Sequence, residues 1–85
     1  MESNTLKISI VVTLKKDVLD PQGTTIKKVL KGMNFTSLNE VRQGKYFEID
    51  IDEKNQKEAE DKANEMCKKL LANLVIEDYK IISSQ

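Results

Sequence analysis

The period of the hydrophobic pattern switches back and forth along this chain, and that order of switches constrains the fold more than any single residue. Leu6, Ile8, Ile10, Val12 and Leu14 alternate with Lys7, Ser9, Val11 and Thr13, the signature of a strand with one face in a core. Asp20-Pro21 then announces a helix, with aspartate as N-cap and proline where a helix needs no donor. Behind it Ile26, Val29, Leu30 and Met33 recur at i, i+3, i+4 and i+7, while Lys27, Lys28 and Lys31 suit the negative end of the helix dipole. The spacing predicts a helix from Pro21 to Lys31, stopped at Gly32 and Asn34.

Strand periodicity returns in two pieces. Leu38 to Arg42 is a short candidate strand, and Gln43-Gly44 reads as a turn into a second one from Lys45 to Asp52. In that strand Phe47, Ile49 and Ile51 face one way and Tyr46, Glu48, Asp50 and Asp52 the other. From Asn55 to Leu71 the period is helical again, with Ala59, Ala63, Met66, Cys67, Leu70 and Leu71 on one side. Asn55 is its expected cap, and Glu58–Lys62 and Glu65–Lys69 are spaced as i,i+4 pairs. Asn73 is the expected stop, and Leu74 to Ile82 forms a last strand with Tyr79 and Ile81 opposite Lys80 and Ile82.

The expected order is βαββαβ, an α+β fold of ferredoxin-like element order. It places a four-stranded antiparallel sheet beneath two helices packed on one face. The other face carries Val11, Tyr46 and Ile82, so association through the open face or the sheet edges is expected. The chain reads as a single domain over 1–85, with residues 1–5 and 83–85 as flexible ends.

Composition points the same way. A chain of 85 residues with four aromatics (Phe35, Tyr46, Phe47, Tyr79) and no tryptophan buries only about 60–65% of its unfolded surface, and small cores need reinforcement. Cys67 is the only cysteine and histidine is absent, which excludes a disulfide and leaves almost nothing for structural zinc. Association with other chains remains. Lys plus Arg and Asp plus Glu both number 14, so no net field favours nucleic acid or an anionic membrane. No apolar run is long enough to span a bilayer, and a lone cysteine without a signal-like N-terminus fits the cytoplasm. Without histidine there is no Ser-His or Cys-His nucleophile.

The remaining candidates are weak as catalytic signals. Gly23 and Gly44 belong to no phosphate-binding loop, and a carboxylate at the Asp20 cap repels anions from that helix end. Glu48, Asp50 and Asp52 could in principle hold Mg²⁺ or Ca²⁺, but a solvated or lysine-paired face is commoner. Tyr46 and Phe47 lie next to the Gly44-Lys45 pair as in RNA-binding strands. Adjacent strand residues point to opposite faces, however, and cannot both stack bases. Cys67 falls in the buried stripe of its helix as a core thiol. The acylphosphatase loop, which this element order can carry, is missing. Arg42, Gly44, Lys45 and Tyr46 are the candidate partner-interface residues. Arg42 is the only arginine of the chain, and arginine is favoured where a planar fork meets carboxylates across an interface. The competing account has Lys45 and Tyr46 merely pairing with Glu48 and neighbouring strands.

Four stretches together resemble one family: Val12-Thr13-Leu14-Lys15, Val18-Leu19-Asp20-Pro21-Gln22-Gly23, Val41-Arg42-Gln43-Gly44-Lys45-Tyr46, and Met66 to Asn73 followed by Val75-Ile76-Glu77-Asp78-Tyr79. In this order and spacing they resemble the PurS family, the small subunit of phosphoribosylformylglycinamidine (FGAM) synthase, from about Leu6 to Lys80. Leu74, where a proline is expected, and the polar N-terminal extension depart from the pattern.

The resemblance implies a subunit without catalytic, cofactor-binding or metal-binding residues of its own. It would belong to a glutamine-using ligase of purine biosynthesis that makes FGAM, ADP, phosphate and glutamate from formylglycinamide ribonucleotide, ATP and glutamine. ATP and Mg would be used by the PurL-type synthetase subunit and glutamine by the PurQ-type glutaminase subunit. This chain would bridge the two, help pass ammonia between them, and self-associate as a dimer or tetramer. The alternative is an ACT-like regulatory module, which shares the element order and binds small molecules at a dimer interface. The stretch from Lys15 to Asp20 lacks the glycine such modules carry there.

Overall fold

The computed structural model describes residues 5–84, with side chains through residue 82. Its elements are β1 (Thr5–Leu14), α1 (Pro21–Gly32), β2 (Gly44–Asp52), α2 (Gln56–Met66), a π-helical turn (Cys67–Leu71) and β3 (Glu77–Ser84). The three strands form one antiparallel sheet in the order β2-β1-β3. Of the expected flexible ends, Thr5 opens β1 and residues 83–84 close β3; residues 1–4 and 85 lie outside the described residues.

The core follows from the alternation. β1 is central, so its inward residues are covered on both sides: Ile8 stands between Ile49 and residue 83, and Ile10 between Phe47 and Ile81. Ile8, Ile10 and Val12 are fully buried, and α2 lays Ala59, Ala63 and Cys67 on them. Small residues on this helix face let it approach the sheet closely. Each of the three large β1 side chains contributes about 1.5–3 kcal/mol by leaving water.

Two expectations are corrected. The four-stranded sheet is not found among the described residues, because 38–42 is not a strand. Gln43-Gly44 is likewise no hairpin turn: Gly44 is the first residue of β2 and pairs with Thr13. The backbone of this stretch is engaged elsewhere. Asp20 caps α1 through Oδ1, which accepts from the Gly23 amide at 2.9 Å, and its Oδ2 accepts from the Gln43 amide at 2.8 Å. Val41 therefore lies against the start of α1, so close that a Cβ on Gly23 would collide with its carbonyl oxygen.

The second correction is that only α2 covers the sheet. Residues 20–43 form an arm, α1 running out and the chain returning beside it, with the left-handed Asn34 (φ 78°) at the reversal. Along α1 only Gly23 is buried. The molecule is accordingly elongated, 53 × 30 × 15 Å with a radius of gyration of 16.8 Å, against about 12 Å for a compact chain of this length.

The second helix keeps its expected cap, Asn55 accepting from the Glu58 amide at 2.9 Å. Its last turn widens, however, and the Ala72 amide reaches back to the Cys67 carbonyl at 3.0 Å. The π turn leaves Leu70 84% exposed while Leu71 tucks against the core. Lys62 pairs with Glu53 and Lys57 with Asp61, where the sequence spacing suggested Glu58–Lys62 and Glu65–Lys69.

Candidate partner interface

The four candidate residues lie along one short stretch but not on one surface. Arg42 sits at the base of the arm. Its Nη2 donates to the carbonyl oxygens of Lys15 at 2.9 Å and Val18 at 3.0 Å, and Nη1 stands 3.8 Å from Glu40. The guanidinium fork thus ties the loop after β1 to the segment before β2. Gly44 is a close-approach position, since a Cβ there would strike the Val12 carbonyl oxygen across the ladder. Lys45 turns to the helix side, where Nζ lies 3.6 Å from Glu77 Oε2 and 6.0 Å from the Phe47 ring centre. Tyr46 turns to the open face.

That open face is mostly polar. Tyr46 is 59% exposed, and its hydroxyl is 3.0 Å from Ser9 Oγ and donates to Glu48 Oε2 at 3.2 Å. Val11 lies between Tyr46 and Lys80, and Ser9 between Glu48 and Ile82. The Glu48–Asp50–Asp52 row runs along β2 beside Ser9, Lys7 and Thr5. Among the described residues, no group of three Asp, Glu or Cys side chains is placed to hold a metal ion.

Electrostatics single out the arm base. Asp20 is 4% exposed, and the two backbone N–H donors from Gln43 and Gly23 hold its carboxyl below the ordinary 3.8, with Arg42 adding to the effect. The sequence marks Asp20 only as a cap; its second bond, to Gln43, spans 23 positions and carries no local signal. Cys67 is buried, and desolvation pushes its thiol above the ordinary 9.0. A protonated, enclosed thiol is a core group and not a nucleophile.

Apolar side chains mark a second kind of surface. On the arm, Ile26, Val29, Met33 and Phe35 are exposed, and around the end of α2 so are Leu70, Leu74 and Val75. Exposed apolar side chains gathered in this way mark surfaces that a partner can cover. Among the described residues, no helix is long and apolar enough to cross a membrane.

Comparison with known proteins places this associating chain in a family. The family model described as PurS, phosphoribosylformylglycinamidine (FGAM) synthase, matches residues 7–85. The Bacillus subtilis phosphoribosylformylglycinamidine synthase subunit PurS is 46% identical over 74 residues, covering 87% of each chain. The Methanocaldococcus jannaschii PurS crystal structure is described as one of the subunits of formylglycinamide ribonucleotide amidotransferase in the purine biosynthetic pathway. It superposes with a TM-score of 0.85 at 41% identity, covering 94% of this chain and 96% of that one. A chain of the Thermotoga maritima PurLQS structure superposes with a TM-score of 0.87 at 29% identity, covering 94% of this chain and 98% of that one. On residues, fold and coverage, the chain belongs to the PurS family, and it is a subunit of FGAM synthase in purine biosynthesis.

Proposed function

We infer that this chain is the non-catalytic bridging subunit of a cytoplasmic FGAM synthase complex, and that it holds the glutaminase and synthetase subunits in the register that ammonia transfer needs. The carrying observation is the pairing of family membership with a chain that has no histidine and whose chemistry-bearing groups are committed to its own fold. Asp20 and Arg42 close the arm, Lys45 pairs with Glu77, and Cys67 is core. Glutamine hydrolysis and ATP-driven amidation are then the work of PurQ-type and PurL-type partners, and this chain binds no cofactor of its own. The Thermotoga maritima relative is part of a PurLQS structure, which supports the same partners here.

Transfer between separate sites has a physical requirement. Ammonia released into water at neutral pH is protonated and loses the lone pair with which it attacks, so a route sheltered from solvent preserves reactivity. A small subunit with exposed apolar side chains on its arm and around the end of α2, and with a polar sheet face, is suited to seating two larger proteins. Tyr46 and its neighbours Ser9 and Glu48 are the partner contact on that face; Arg42, Gly44 and Lys45 hold the strand that presents it. The chain also self-associates.

The test is assembly. With this chain present, glutaminase and synthetase should co-elute as one complex; without it they should elute apart. Co-elution of the two without this chain would remove the bridging role.

A further inference from the structure

Turns between secondary elements are ordinarily built from glycine, proline, asparagine, aspartate and serine. The turn that leads from the π-helical segment into β3 instead carries Leu74, Val75 and Ile76 in succession. All three are exposed, Val75 at 82%. Their side chains do not make the turn; Asn73 does. Its carbonyl oxygen accepts from the Ile76 amide at 3.0 Å and the Glu77 amide at 2.7 Å, and its Oδ1 accepts from the Val75 amide at 3.1 Å.

Glu77 locks the turn at its base. Its side chain is only 15% exposed, and Oε2 stands 3.6 Å from Lys45 Nζ. Its Oε1 accepts from the Asn73 amide at 2.7 Å, while Lys45 Nζ also reaches the Leu71 carbonyl oxygen at 3.4 Å. On the other flank the Lys15 amide donates to the Ile76 carbonyl oxygen at 2.9 Å, and Lys15 Nζ pairs with Asp78 at 3.1 Å. The result is an apolar tip on a backbone fixed from both sides, with Lys45, Glu77, Lys15 and Asp78 at its base already paired. A fixed tip loses little conformational freedom on binding, and a neutral base asks for no counter-charge. The tip also continues the face that carries Tyr46. Glu77 pairs with Leu14, and Tyr46 flanks Val11 on the same strand. Three strand residues, about 10 Å, separate the two places, well within one standard footprint of roughly 800 Å² per partner.

We propose that Leu74 and Val75 are an apolar plug, and that it seats in a pocket lined by apolar side chains on the same partner subunit that covers Tyr46. The plug rests on the reading that the Tyr46 face seats one of the two larger subunits.

The experiment immobilises the full chain and titrates it with purified PurL-type and PurQ-type subunits, singly and together. Val75→Asp and Val75→Lys, of opposite charge, should each weaken capture of one subunit about 100-fold. That subunit should be the one whose capture Tyr46→Ala also weakens. Leu74→Ser should act in the same direction, and sedimentation and melting of the isolated variants should match the parent. Capture at parental strength by both Val75 variants overturns the plug and leaves the Tyr46 reading standing. A loss confined to one sign of charge also overturns it, since the contact is then electrostatic. So does a loss that falls on a different subunit from the Tyr46→Ala loss. A change of oligomeric state turns the tip toward a second copy of this chain, and a Tm lowered by more than a few degrees makes Val75 part of the fold; either overturns the plug. A parent chain that captures neither subunit overturns the Tyr46 reading and the plug together.

Discussion

Substituting Gly23 by alanine sets two opposed effects against each other, and the arm base decides the sign. Gly23 is in the first turn of α1, where alanine is favoured by about 1 kcal/mol on helix propensity. Its Cβ, however, would stand 2.9 Å from Asp20 Oδ2 and well inside contact distance of the Val41 carbonyl oxygen. An ordinary C···O contact is about 3.3–3.6 Å, so Val41 must retreat by about 1 Å. The neighbour is backbone and cannot rotate away, and moving it stretches the Asp20–Gln43 bond. Overpacking of this kind costs about 1–3 kcal/mol, here toward the upper end. The net expectation is a destabilisation of about 2 kcal/mol, or roughly 8–16 °C in Tm for a chain of this size. Gly32 is the control in the same helix. Nothing lies within 4 Å of its Cβ position, so Gly32→Ala should be neutral or stabilise by up to about 1 kcal/mol. Urea unfolding followed by circular dichroism measures both. If Gly23→Ala matches or exceeds the stability of the parent, the arm base is not packed as described.

Acid should loosen the arm. The folded-state pKa of Asp20 is depressed by the Gln43 and Gly23 amides, so its contribution is present above the ordinary 3.8 and is lost as pH falls through the folded value. Asp20→Asn should abolish that acid-side change in the melting curve. Ile10→Ala, at a position with no exposure, should cost about 2–5 kcal/mol in the same urea assay. Cys67→Ala should cost only about 1–2 kcal/mol and leave complex activity intact. Native Cys67 should resist iodoacetamide until the chain unfolds, since burial keeps the thiol protonated. Tyr46→Ala should lower glutamine-dependent FGAM synthesis more than the ammonia-dependent reaction without shifting Tm by more than a few degrees.

The strands and helices with strict periodicity were legible in the sequence. The alternation from Leu6 to Leu14, the Asp20-Pro21 start and the Asn55 cap all act within a few residues, and all appear where the spacing puts them. Residues 38–42 carry a local strand pattern in Leu38 and Val41 but form no strand. What holds Val41 and Gln43 is the Asp20 carboxylate, 23 positions from Gln43, and contact order of that kind leaves no periodic trace. The same limit hid the arm: the stripe on α1 is genuine, but a stripe states only that a helix buries one side, not against which surface. The π turn at Cys67–Leu71 adds one residue to a helical turn, and the apolar pattern reads continuously across it. Arg42 stands out in the sequence as the only arginine, but the carbonyl oxygens its Nη2 donates to, on Lys15 and Val18, lie 27 and 24 positions away and leave no local signal. Lys45 and Tyr46 were separated by the pleat, one to each face.

The bridging account is tested most directly by the ratio of glutamine-dependent to ammonia-dependent FGAM synthesis in a mixture of PurL-type and PurQ-type subunits, measured as this chain is titrated in. The account predicts that glutamine-dependent synthesis is near zero without the chain and rises to saturation at a fixed stoichiometry, while the ammonia-dependent rate changes little. Full glutamine-dependent synthesis in its absence would contradict it.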